Sequence, residues 1–109
     1  MITVAETQQF LKKSEKLLKK EDKEWLINYL SENPKSGVLI EGTSGVRKIR
    51  WGRSGSGKSG GVRVIYYFHN EKIPLYLLTI FSKNERVNIS ATEKKSLANL
   101  VKELIKYWR

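Results

Sequence analysis

The spacing of apolar positions changes along the chain, and each change marks an element. Ile2 and Val4 alternate with polar neighbours, which predicts a short strand over residues 2–6. From Thr7 the spacing turns helical, through Phe10, Leu11, Leu17 and Leu18, with Thr7 as N-cap. Residues 19–22 read as a polar break. A second helix then places Trp25, Leu26, Tyr29 and Leu30 on one face and stops at Asn33 and Pro34, because the residue before a proline is pushed out of helical geometry. Two helices joined so closely form an antiparallel hairpin, and its apolar face must cover a sheet. That sheet is predicted from three runs: residues 46–51, residues 62–69, and the most apolar, residues 73–82, which suits a central position buried on both faces. A Gly/Ser loop over residues 52–61 and a turn at Asn70, Glu71 and Lys72 link them into an antiparallel meander. The chain closes on a helix. Ser90 and Glu93 have capping-box spacing, and Leu97, Leu100, Val101, Leu104, Ile105 and Trp108 form one stripe. The expected class is α+β, a single domain over residues 1–109 in which an N-terminal helical hairpin packs on a β-meander followed by a C-terminal helix.

Composition narrows the chemistry. The 109 residues contain no Cys and one His, so a disulfide framework, Cys-ligated zinc and a His-rich metal site are excluded. No metal and no cofactor is expected. The longest apolar run, residues 75–81, is too short to span a bilayer, and residues 1–6 do not resemble a signal peptide. A soluble, cytoplasmic protein with no membrane partner is the expectation.

Charge is unevenly placed. The chain carries 21 Lys+Arg against 11 Asp+Glu. Residues 1–44 balance at seven of each sign, whereas residues 45–86 hold nine basic residues and two acidic ones. A positive field concentrated in the middle third suits a polyphosphate.

One motif in that segment misleads. Residues 52–59 match G-x-x-x-x-G-K-[ST], the pattern of a nucleotide-binding phosphate loop. That loop works because a helix starts directly after it and turns its free amides to the phosphate. Here Gly60 and Gly61 follow, then a β-branched and aromatic run that favours a strand. The segment is read instead as a hairpin loop whose Arg53 and Lys58 can reach a nucleic-acid backbone.

Side-chain alternation places Val46, Lys48 and Arg50 on one face of the first meander strand, and Arg47, Ile49 and Trp51 on the other. On the next strand Val62, Val64, Tyr66 and Phe68 form the core face, and Arg63 shares the opposite face with Ile65 and Tyr67. A lone arginine within an apolar strand needs a partner or a task. Pairing with Glu85 is one outcome. Convergence of Lys48, Arg50 and Arg63 on an open sheet face, closed by Lys83, is the other. His69, at a strand end beside Asn70, is read as a turn residue.

Three blocks carry a family resemblance: Gly42-Thr43-Ser44-Gly45-Val46-Arg47-Lys48-Ile49-Arg50-Trp51, Gly60-Gly61-Val62-Arg63-Val64-Ile65-Tyr66-Tyr67-Phe68, and Leu77-Leu78-Thr79-Ile80-Phe81-Ser82-Lys83-Asn84-Glu85. In this order and spacing the chain resembles the HigB-like branch of the RelE/ParE toxin superfamily. The resemblance implies a microbial-RNase-like fold and a bacterial type II toxin–antitoxin pair. It implies an endoribonuclease, an mRNA interferase that enters the ribosomal A site and inhibits translation. The implied catalytic set is Lys48, Arg50, Arg63 and Lys83, with Arg47, Arg53, Lys58, Arg86 and Phe81 contacting RNA or ribosome. The implied partners are the ribosome, mRNA and an antitoxin, acidic where it meets residues 45–86 and carrying a helix-turn-helix domain. The sequence departs from RelE near Ile89, where relatives place a tyrosine against the nucleotide; Phe81, Trp51 or Tyr67 are the aromatic alternatives.

Such a set can cut RNA by letting the 2′-hydroxyl attack its own phosphorus, leaving a 2′,3′-cyclic phosphate and a 5′-hydroxyl. Lys48 is the candidate base, or the field that acidifies the 2′-oxygen. Arg50 and Arg63 suit the phosphate oxygens through paired donors, and Lys83 suits the leaving oxygen. Two other functions use the same features: a ParE-like inhibitor of DNA gyrase, which needs the fold but not the cations, and a non-enzymatic nucleic-acid-binding domain.

Overall fold

The meander forms where the apolar runs predict it. The computed structural model describes residues 2–52, 61–85 and 88–109. Its elements are β1 (Val4–Glu6), α1 (Gln8–Leu17), α2 (Lys20–Glu32), β2 (Val38–Leu39), β3 (Val46–Trp51), β4 (Val62–Tyr67), β5 (Leu75–Ser82) and α3 (Ala91–Tyr107). Strands β3, β4 and β5 are antiparallel neighbours. The runs at 62–69 and 73–82 are each trimmed by two residues, because Phe68 and Ile73 lie outside the ladder.

The sheet is wider than a meander and mixed, in the order β1-β5-β4-β3-β2. β1 lies parallel to β5, with Val4 opposite Leu75 and Glu6 opposite Leu77. β2 adds a two-residue outer edge, pairing Val38 with Lys48 and Leu39 with Arg47. β5 is therefore interior and covered on both faces, which its composition demands.

Each side of the sheet has its own core. The helical hairpin covers one side, where Phe10, Leu26 and Leu30 meet Val62, Val64, Tyr66, Leu75, Leu77 and Ile80. α3 covers part of the other, where Val101 meets Val46, Ile65, Tyr67, Leu78 and Phe81. The expected open face is thus open only along part of its length. Register slips on β5, where Ile65 opposes Thr79 but Tyr66 opposes Leu77, so Leu78 is the extra residue of a bulge. The Thr7 hydroxyl, which caps α1 by accepting from the Phe10 amide, donates to the Leu78 carbonyl at 2.9 Å.

The hairpin differs from expectation in two details. Residues 20–22 are no break but the first turn of α2, where Glu21 and Asp22 complement the positive end of the helix dipole. Of the second apolar face only Leu26 and Leu30 are buried, while Trp25 and Tyr29 are exposed. α3 starts with the full capping box, Ser90 accepting from the Glu93 amide and the Glu93 carboxylate accepting from the Ser90 amide.

Candidate functional site

Strand pairing sets the basic residues out in rows across the α3 side of the sheet. Val46 and Tyr67 face Tyr76 in one row, Lys48 and Ile65 face Thr79 in the next, and Arg50 and Arg63 face Phe81 in the third. Lys83 lies two residues past Phe81, on a turn held by its amide to the Gly61 carbonyl at 3.3 Å. α3 packs on this side of the sheet, and within the third row Phe81 is fully buried while Arg50 is exposed. Lys48 and Arg63 are half-buried, and Arg50 and Lys83 are exposed.

The third row breaks two packing rules. Arg50 and Arg63 are directly opposed across β3 and β4. Directly opposed side chains have their Cβ atoms roughly 4.5–5.5 Å apart, and like charges there are destabilising. In addition, the buried Nη1 of Arg63 has no hydrogen-bond partner among the described residues, and no ion pair joins Arg63 to Glu85. An orphaned buried donor costs about 1–3 kcal/mol, more when it is charged. An anion seated between the two guanidinium groups would relieve both penalties.

The alternate residues of the same strands are fully engaged elsewhere. Arg47 points to the hairpin side and donates to the carbonyls of Lys35 (3.1 Å) and Gly37 (2.8 Å). Beside it the buried Tyr66 hydroxyl accepts from the Gly37 amide (2.8 Å) and donates to the Pro34 carbonyl (2.9 Å). Burial raises the pKa of Tyr66 above the ordinary tyrosine value, against the opposing pull of the Gly37 amide, the Ser36 side chain and Arg47. Burial raises that of Tyr67 in the same sense. The Tyr67 hydroxyl bonds His69 Nδ1 at 3.0 Å. Arg47 therefore stands apart from Lys48, Arg50 and Arg63, which the sheet does bring onto one side.

Phe81 stands in the Arg63 row but is fully buried, as is nearly all of Tyr67. Of the three aromatic alternatives only Trp51 keeps an accessible ring, and it lies on the hairpin side at the edge of β3. Arg53, Lys58 and Arg86 fall outside the described residues, as does most of the phosphate-loop-like motif; the strand that β4 forms from Val62 leaves no helix to follow it.

Two residues not anticipated from the sequence join the site. Lys48 lines a cleft of about 430 Å³ shared with Asn88, Ile89 and Lys94 at the start of α3, and with the exposed apolar β2. Lys94 reads in sequence as one more solvated helix residue; only the packing of α3 brings it to Lys48. Among the described residues no group of three or more His, Asp or Glu side chains could hold a metal ion, and no helix is long and apolar enough to cross a membrane.

The fold is α+β, with a mixed five-stranded sheet whose β3 and β4 bring Lys48, Arg50 and Arg63 onto one side. The profile of the RelE toxin of the RelE/RelB toxin–antitoxin system matches residues 4–109. The chain belongs to the RelE toxin family, and an antitoxin is accordingly its partner.

Proposed function

We propose that this toxin is a ribosome-dependent mRNA endoribonuclease of the HigB-like branch, acting in the cytoplasm on mRNA in the ribosomal A site. The observation that carries the reading is the Arg50–Arg63 row, two opposed cations with a buried guanidinium nitrogen left unpaired. A scissile phosphate between them gains charge in the transition state, and paired donors aimed at it stabilise that charge by roughly 3–4 kcal/mol. Lys48, one row away and half-buried, is the group for the 2′-hydroxyl, and Lys83, at the end of β5, is the group for the 5′-oxygen that leaves. The proton removed at O2′ and the one delivered to O5′ balance, so the products are a 2′,3′-cyclic phosphate and a 5′-hydroxyl. Lys94 and Asn88 extend the positive cleft along the backbone of the message. The ribosome supplies alignment of the 2′-oxygen with phosphorus, itself a large part of the rate. A helix-turn-helix antitoxin with an acidic segment over these cations completes the pair.

Primer extension on a defined mRNA, with and without ribosomes, tests the reading. Cuts within A-site codons that need ribosomes and vanish in Arg63→Ala are the expected result. Intact mRNA throughout would return the function to gyrase inhibition or simple nucleic-acid binding, and a supercoiling assay separates those two.

A further inference from the structure

The outer edge of β3 carries an aromatic feature that the cleavage chemistry does not use. β2 pairs with β3 only through Arg47 and Lys48, so from Ile49 to Trp51 that edge has no strand partner among the described residues. Beneath it the rings of Tyr29 and Trp51 pack 5.4 Å apart at 46°. The Trp51 indole is tied to the Asp22 carbonyl at 3.1 Å. Tyr29 is 41% exposed. The two rings border a cleft of about 480 Å³ whose rim includes Lys48 and Arg50, and no acidic side chain lines it among the described residues.

We propose that this ledge takes the base of a single-stranded RNA nucleotide flanking the cut, next to the scissile phosphate at Arg50 and the 2′-hydroxyl at Lys48, both of which line the same cleft. The inference rests on the cleavage reading for the direction in which RNA crosses the sheet. Its own support is local. Lys48 and Arg50 alternate in sequence with Ile49 and Trp51. A backbone that follows the cations off the sheet and over the free edge of β3 therefore arrives at the aromatic pair. Rings held in place by packing and a hydrogen bond lose little freedom when a base stacks on them. Stacking is also tolerant of base identity, because every base presents a π-face. An apolar peptide would make no use of the two cations at the rim, whereas an oligonucleotide uses cations and rings together.

The test is a binding titration with a short oligoribonucleotide made uncleavable by 2′-O-methylation at the scissile position. The chain has three tryptophans, so Trp25→Phe with Trp108→Phe leaves Trp51 as the sole indole reporter. The ledge predicts quenching of Trp51 on binding, an affinity about tenfold weaker in Tyr29→Leu, and recovery in Tyr29→Phe. It also predicts loss of the quench when the flanking nucleotide is abasic. Thermal melts confirm that each variant is folded, and ribosomal cleavage is measured on the same proteins. Normal cleavage with unquenched Trp51 and unchanged affinity in Tyr29→Leu overturns the ledge and leaves the cleavage reading standing. Quenching without ribosomal cleavage by the unmodified protein does the reverse. Unchanged oligonucleotide affinity in Tyr29→Leu together with lost antitoxin binding also overturns the proposal and assigns the ledge to a protein interface.

Discussion

The two faces of the sheet treat the same residue types in opposite ways. On the hairpin side Arg47 and Tyr66 each make two hydrogen bonds to the 34–37 turn. On the α3 side Arg63, from the neighbouring strand, has a buried nitrogen with no partner among the described residues and a second arginine opposite it. Strand propensity and burial do not separate Arg47 from Arg63, since both are half-buried strand arginines. What separates them is satisfaction: Arg47 makes its hydrogen bonds within the protein, and a buried nitrogen of Arg63 has no partner among the described residues. Local rules are expected to fail at functional sites, and Arg63 is a strand position where they fail.

The sharpest way to break this contrast is to exchange the fates of the two arginines. Arg63→Ala should lower the single-turnover cleavage rate by roughly 10²–10³ while the melting temperature holds or rises, because an unpaired charge has been removed. A variant that loses stability with its activity would make Arg63 structural. Arg47→Ala should do the opposite. It removes one exposed and one part-buried hydrogen bond to backbone and should cost about 1–3 kcal/mol in denaturant unfolding, with the rate per folded molecule unchanged. A fallen rate at equal folded fraction would place Arg47 at the ribosome interface after all.

A smaller effect should come from Tyr66. Its hydroxyl pKa is raised by burial, so the folded state resists ionisation more than the unfolded chain does. Its contribution is complete below the ordinary tyrosine value near pH 10 and is lost as pH rises through the raised folded value. Unfolding curves should therefore weaken above about pH 10, and Tyr66→Phe should flatten that slope. An unchanged slope would mean that the raised value belongs to Tyr67 alone. The smallest expected effect is at Lys94. Lys94→Ala should weaken oligoribonucleotide binding slightly and reduce the slope of log affinity against log salt by about 0.7, one phosphate contact on a single strand. An unaltered slope would confine the interface to the sheet.

The local half of this fold was legible in the sequence. The boundaries of β3, the Ser90 capping box and the core face of β4 each follow from a few adjacent residues. The parallel docking of β1 on β5 was not, because Val4 and Leu75 share no local pattern that would pair them. β2 was missed because Val38 and Leu39 are two exposed residues held by register rather than by burial. The start of α2 was misread because acidic residues at a helix N-terminus look like a polar break. The site followed the same division. That Lys48, Arg50 and Arg63 share one side of the sheet follows from side-chain alternation, which the pleat enforces. Lys94, Asn88 and Tyr29 come from helices or a connecting segment whose placement depends on tertiary packing, and no spacing in the chain announces them.

The pairing of β1 with β5 also imposes an order on synthesis. Val4 has no β5 partner to join until Leu75, 71 positions further along, has been made. The bond that the capping Thr7 hydroxyl donates to the Leu78 carbonyl likewise waits for a residue 71 positions later. Contacts this distant form late and slowly. β3 and β4, neighbours in sequence, can bring Arg50 and Arg63 together well before then, but the layers that pack on them form only after β5 and α3 have been made. The sheet of this toxin is thus completed late in its own synthesis, which leaves an interval for its antitoxin to be present before the cationic row is held in place.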